Sequence, residues 1–188
     1  MKSRHRMRNW VDTVFTARRL TACALRAGDL DELCSLWNDP DIIKCTGMAP
    51  AEYGTEMRGW PELYEYHNRQ HSWMGFWLLR RHDGQLVGDV VIHPMPGFPA
   101  AEIGWHLGSR FRGMGYASEA VRAAVSCVPQ STAVDLWAFI DRDNRASAEV
   151  ARRCDFSLMY TDDLMTPGEV VDRWVFRRIP RPGPIQDP

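Results

Sequence analysis

Nothing in this chain approaches the run of about 18 apolar residues that a membrane-spanning helix needs. Neither charge is in excess: 23 Lys and Arg face 24 Asp and Glu, for a formal net charge of −1. A protein whose main partner is nucleic acid or an anionic membrane surface needs a basic field, so neither partner is expected. Paired cysteines are missing too. Cys23, Cys34, Cys45, Cys127 and Cys154 are odd in number, scattered, and form no C-x-x-C pair. That speaks against a disulfide framework and against a zinc site built on cysteine. Reduced, buried thiols suit a reducing cytoplasm, and cytoplasmic is the expected location. No internal repeat is visible. What is present is 188 residues, 45% hydrophobic and 25% charged, the usage of one soluble globular domain with a sizeable core.

Residues 1–19 carry six Lys or Arg and a small apolar cluster at Trp10, Val11, Val14 and Phe15. They lack the continuous apolar core and small-residue cleavage site of a secretory signal. They read as a basic arm, disordered or docking, with an Arg-rich transit peptide or a start at Met7 as rival readings. Residues 180–188 hold four prolines and read as a disordered tail. The domain proper is expected over 20–179.

Within it, Leu20–Arg26 reads as a strand. Asp29 then caps a helix over Leu30–Asn38, with Leu30, Leu33, Leu36 and Trp37 on one face, and Asn38-Asp39-Pro40-Asp41 breaks it. A helical stretch from about Ala51 to His71 is interrupted near Gly59-Trp60-Pro61. Phe76–Arg81 and Leu86–Ile92 form a hairpin about His82-Asp83-Gly84. After the loop His93–Pro99 comes the strand Ala101–Leu107. The clearest helix is Ala117–Val128, with Ala117, Ala120, Val121, Ala124, Val125 and Val128 in one stripe and Pro129 at its end. A strand over Val134–Ile140, a helix over Arg145–Cys154 and strands over Phe156–Tyr160 and Val170–Ile179 complete a mixed α/β domain. Its early hairpins exclude the strict alternation of a doubly wound sheet.

The informative stretch is Glu102-Ile103-Gly104-Trp105-His106-Leu107 followed by Arg110-Phe111-Arg112-Gly113-Met114-Gly115-Tyr116-Ala117. A strand delivers a glycine-containing turn to a helix N-terminus. Unpaired N–H groups and the helix dipole make an anion site there. Gly113 and Gly115 permit close backbone approach or positive φ. Arg110 and Arg112 supply charge suited to phosphate oxygens. A bare strand-turn-helix connection would need the same glycines. A dinucleotide fold needs a third glycine where Ser118 stands, and Asp135 precedes its strand instead of ending it.

Arg112-x-x-Gly115-x-Ala117 resembles the R/Q-x-x-G-x-G/A signature of the GNAT superfamily of acyl-CoA-dependent N-acetyltransferases. The wider run from Glu102 to Ala120 resembles the branch that includes the ribosomal-protein N-terminal acetyltransferases. Asn144-x-x-Ser147 with Asp155-Phe156, and the tripeptide Asn38-Asp39-Pro40, match further motifs of that branch. The resemblance implies an α/β (α+β) GNAT fold. Its central mixed, mostly antiparallel sheet is splayed between the strands Ala101–Leu107 and Val134–Ile140, with helices on both faces. It implies acetyl-CoA as cosubstrate, no metal, and Trp105, His106, Leu107, Arg112, Gly113, Met114, Gly115, Tyr116, Ala117 and Asn144 around it. Asn144 can instead cap its own helix. Two positions depart from the pattern. Asp155 stands where glycine is usual, and Ala151 occupies the place of a common tyrosine acid.

Direct attack by an amine on a thioester needs a base, more so for a lysine (pKa about 10.4) than for an α-amine (about 8). Strand alternation puts Glu102, Gly104 and His106 on one face. Glu102 and His106, both candidates, lie roughly 13 Å apart and cannot form one dyad. Glu102 is the chosen base, through a water, against a solvated strand carboxylate. Ser147 is the candidate acid for the leaving thiolate, against a packing serine. A backbone N–H near Trp105–Leu107 is the resemblance's carbonyl donor.

His67 and His71 have metal-ligand spacing but no H-E-x-x-H context and no third ligand, so no metal is expected. Between Gly28 and Tyr66 nine acidic residues face only Lys44 and Arg58. An acidic groove for a cationic amine and a solvated acidic face are the two readings. The expected function is acetyl transfer from acetyl-CoA to a primary amine, whether a protein N-terminus or a small molecule. The alternative is a non-catalytic acyl-CoA sensor or scaffold. The acceptor's identity, the acyl length and the oligomeric state, homodimer included, are left open.

Overall fold

The computed structural model describes residues 13–132, 134–166 and 169–179. The expected tail and most of the expected arm lie outside them. Eight strands run in chain order as β1 (Thr13–Thr16), β2 (Leu20–Ala24), β3 (Gly75–Arg81), β4 (Leu86–Pro94), β5 (Ala100–Leu107), β6 (Asp135–Asp141), β7 (Ser157–Thr166) and β8 (Glu169–Arg178). They form one sheet in the order β1-β2-β3-β4-β5-β6-β8-β7. Six helices pack on it: α1 (Leu30–Trp37), α2 (Pro40–Thr46), α3 (Pro50–Met57), α4 (Trp60–Gln70), α5 (Tyr116–Ser126) and α6 (Arg145–Arg153).

All strand pairs are antiparallel except β5 with β6. That parallel pairing spans only Ala100↔Asp135, Ala101↔Leu136 and Glu102↔Trp137. Beyond it β5 stays paired to β4 as far as Leu107, and β6 stays paired to β8 as far as Asp141. The sheet therefore splits between these two strands, where the sequence expectation placed the splay.

Alternation along the strands sorts two cores. Trp77, Leu79, Val90, Ile92 and Ile103 face α5 and α6, whose stripe of Ala120, Val121, Ala124, Ala148 and Ala151 is fully buried. Phe76, Leu78 and Val91 face the other way, onto Leu33, Trp37, Ile42 and Met57 of α1, α2 and α3. Burial on both faces explains the unbroken apolar runs of β3 and β4, which carry no polar alternation. Within β4 one residue breaks the run: Asp89, at 0% exposure.

Three local outcomes differ from the sequence expectation. Residues 13–16 of the expected arm form β1, whose Phe15 packs edge-on against Trp77. The Asn38–Asp41 break is also a start. Pro40 opens α2 at its first position, where its missing N–H costs nothing, and the Asp39 carboxylate accepts from the Asp41 N–H at 3.0 Å. The last two strands form a longer hairpin than Phe156–Tyr160 and Val170–Ile179 suggested. At the end of α6, Asp155 takes φ +65°, the left-handed conformation that its Gly-like position demands.

Candidate active site

The N-terminus of α5 is built by the glycine turn. Gly113 and Gly115 have φ of +74° and +79°, and Gly115 is the N-cap of α5. It has no side chain to cap the helix, so the first N–H groups stay available to a ligand. A cleft of about 430 Å³ runs from this turn to the start of α6, walled by Arg112, Gly113 and Ala117 on one side and by Asn144, Ser147 and Val150 on the other. Trp105, His106 and Leu107 form its back. Met114, Gly115 and Tyr116 do not line it: Met114 points into solvent and Tyr116 is buried beneath the Arg19 guanidinium, 4.5 Å from its ring.

Arg112 is not the free cation that the sequence suggested. Its guanidinium pairs with Asp39 at 2.9 Å and with Asp41, while its Nε donates to the Leu107 carbonyl at 2.9 Å. Asp39 also accepts from the Ser109 N–H at 2.9 Å. Arg112 thus ties α2 to the turn and shapes the cradle from behind. Arg110 lies exposed, 4.8 Å over the Phe111 ring. Burial alone would raise the Asp39 pKa, but Arg112 and two backbone donors outweigh it and hold the carboxyl below its usual value. Asn144 realises its capping alternative, its Oδ1 accepting from the Ser147 N–H at 3.0 Å.

A second cleft, of about 310 Å³, opens on the α1–α4 side of the split. Trp37, Trp60, Tyr64 and Phe76 wall it with rings 5.2–6.3 Å apart. Glu102 projects into it from β5, 3.8 Å from its cross-strand partner His93. Burial raises the Glu102 pKa above the ordinary carboxylate value, and the charges of His93 and Arg173 pull part of that back. Burial, followed by the charges of Asp89 and Glu102, pushes the Tyr64 phenol up to about 12. Of the acidic residues of the 28–66 segment whose side chains are described, none walls this cleft. Asp29 and Glu32 pair with Arg80, Asp39 and Asp41 with Arg112, and Glu65 with Arg69. Among the described residues, the carboxylates that wall this cleft come from the sheet, as Glu102 and the Arg173-paired Asp141.

The two clefts meet at a shared wall of Cys45, Trp105, His106, Asp141, Asn144 and Ser147. A family model of the acetyltransferase (GNAT) domain matches residues 19–157. The chain belongs to the GNAT acetyltransferase family. The uncharacterized N-acetyltransferase p20 of Bacillus licheniformis is 23% identical over 175 residues, covering 91% of this chain and 98% of that protein. RimL, a ribosomal L7/L12 alpha-N-protein acetyltransferase solved with coenzyme A, superposes with a TM-score of 0.73 at 20% identity, over 89% of this chain and 98% of its own. The microcin C7 self-immunity acetyltransferase MccE, solved with acetyl-CoA and AMP, gives 0.69 at 20% identity, over 86% and 93%. At these identities the structural likeness speaks to the GNAT fold.

Two features of this GNAT site escaped the sequence. One is the aromatic wall, whose four members come from α1, α4 and β3. The other is the pairing of His106 with Asp89, cross-strand partners on β5 and β4. Its one sequence signal was a lone aspartate inside the apolar run Leu86–Ile92. His67 and His71 stack on tyrosine and tryptophan rings. Among the described residues no group of three or more His, Cys, Asp or Glu is placed to hold a metal.

Proposed function

We propose that this GNAT protein transfers the acetyl group of acetyl-CoA to a primary amine by direct attack. The observation that carries this reading is the split in the sheet, which joins an anion-binding cleft to an aromatic, carboxylate-bearing one through a shared wall. The pyrophosphate would lie against the backbone of Arg112–Ala117, where N–H groups and helix dipole favour it. The pantetheine would follow the unpaired edge of β5 toward the split, past Asn144. The acetyl group would then stand between Glu102 and Ser147, with a β5 backbone N–H on its carbonyl oxygen.

The amine would enter from the aromatic side. Glu102, through a water, accepts the ammonium proton, and its raised pKa suits a base working near neutrality. The Ser147 hydroxyl, whose backbone N–H is held by Asn144, would relay a proton to the CoA thiolate. Solved relatives with coenzyme A or acetyl-CoA support the cosubstrate. RimL, by its description, acts on a protein α-amine. The 310 Å³ cleft accommodates either a peptide N-terminus or a small-molecule amine.

Two measurements test this. Calorimetry should show saturable acetyl-CoA binding that Gly113→Glu abolishes, because the variant puts a side chain and an anion on the cleft wall at a positive-φ position. A panel of free-N-terminal peptides and small amines should then yield products 42 Da heavier, with release of CoA thiol (about one acetyl per turnover). Folded protein that binds no acetyl-CoA would sink the proposal. Binding without transfer to any amine would favour a sensor.

A further inference from the structure

The pair at the shared wall is chemically unusual. Asp89 is a carboxylate with no exposure to solvent, and both its oxygens are committed. Oδ2 accepts from the Trp37 indole N–H at 2.7 Å, and Oδ1 accepts from His106 Nδ1 at 2.8 Å. A wholly buried carboxylate is retained only with a compensating charge, since an unpaired buried ion costs several kcal/mol. The basic group that meets it is the His106 ring. With Nδ1 occupied, Nε2 is left to meet the Cys45 thiol and the clefts that both residues line.

We propose that His106 is a catalytic residue whose imidazolium, fixed by Asp89, stabilises the negative charge forming on the thioester carbonyl oxygen and then on the departing CoA sulfur. This rests on the acetyl-transfer reading above. In that step the amine nitrogen bonds to the acetyl carbon and the C=O pair moves onto oxygen. Collapse breaks the C–S bond and sulfur leaves with its pair. Glu102 has already taken the ammonium proton; the second proton leaves the nitrogen on collapse and passes through the Ser147 hydroxyl to sulfur, so that Ser147 ends as it began. His106 keeps its own proton throughout and acts by charge and by its Nε2–H.

The groups facing the ring agree with a cation. From β4 comes Asp89, from α2 the Cys45 thiol, and from α1 the Trp37 ring at 4.8 Å. Tyr64 of α4, Glu102 of β5 and Asp141 of β6 line the same cleft, as do the basic His93 of β4 and Arg173 of β8, the latter paired with Asp141. Burial favours the neutral ring, but the charge and hydrogen bond of Asp89, with Cys45 beside it, overcome this and push the pKa up to about 10.

The experiment is steady-state kinetics with CoA-thiol release as readout, over pH 6 to about 10.5, paired with acetyl-CoA calorimetry on each variant. His106→Asn keeps an amide donor for Asp89 while removing the charge. It should lower kcat about 100-fold and leave the acetyl-CoA Kd within about threefold. His106→Gln, a neutral donor reaching nearer the Nε2 position, should recover part of the loss. Asp89→Asn should move the alkaline fall of kcat from near pH 10 down toward neutrality, whereas Cys127→Ser, at the far end of α5 and outside both clefts, should leave it in place.

Wild-type kcat that already falls between pH 6 and 8 overturns the proposal even if no variant folds. So does full kcat in His106→Asn, or an Asp89→Asn profile that matches wild type. Acetyl-CoA binding without turnover removes the catalytic role but leaves the binding site standing. Absence of binding removes both.

Discussion

Glu102 and His106 project from the same face of β5, and each meets a β4 residue directly across the ladder. The partners set their properties in opposite senses. Glu102 meets a histidine 3.8 Å away at a half-buried position, and burial raises its pKa. A base must be ionised, so kcat/KM is expected to climb with pH through a limb lying above the usual carboxylate range. Glu102→Gln should abolish that limb and lower kcat/KM about 100-fold or more, with acetyl-CoA affinity unchanged. A fall within tenfold would demote Glu102 to a surface carboxylate. Asp155 offers a cleaner test of backbone strain. At φ +65° an aspartate costs about 1 kcal/mol relative to glycine. Asp155→Gly should therefore stabilise the fold by about that amount in urea unfolding, and no gain would mean that the side chain contributes an offsetting contact.

Among elements, α2 is the one whose position decides the site, since it carries Asp39, Asp41 and Cys45 toward the turn and the shared wall. Asp39 caps α2, receives the Ser109 N–H and pairs with Arg112. Its pKa is held below the unfolded value, so its contribution is complete above about pH 3.9 and fades as pH falls through the lowered native value. Asp39→Ala should cost about 2–3 kcal/mol at pH 7. The difference from wild type should shrink in acid, and a pH-independent difference would point to packing instead.

This element also marks where sequence legibility ended. The α5 stripe, the β3–β4 hairpin and the glycine turn were readable because their signals lie within about a dozen residues. Asn38-Asp39-Pro40-Asp41 is ambiguous by the same local rules, for it stops one helix and caps the next. Arg112 and its aspartates are some 70 residues apart. Asp89 and His106 meet only once β4 and β5 are in register. No local pattern encodes such pairs, so Arg112 looked like a ligand group and His106 like a lone imidazole. The places of Glu102 and Ser147 beside the split were legible through motif and alternation, whereas the aromatic wall needed three separate elements to be assembled.

At the scale of the molecule, two cores lie on opposite faces of one sheet, and the split near its middle opens toward both layers. Strands β1 to β5 and strands β6 to β8 share just three parallel residue pairs, all at one end. Mechanically this is a pair of tongs with a short pivot at Glu102, its jaws joined on one face by the core that α5 and α6 share. A molecule bound between the open ends would meet the unpaired strand edges of the split. Backbone amides of Ile103–Leu107 that face the gap should exchange hydrogen markedly more slowly when acetyl-CoA is bound, while those paired to β4 should change little. Equal protection on both edges would mean that the jaws are rigid already. If they are not, acetyl-CoA binding would also brace the open end of the split, and its release would have to undo that bracing.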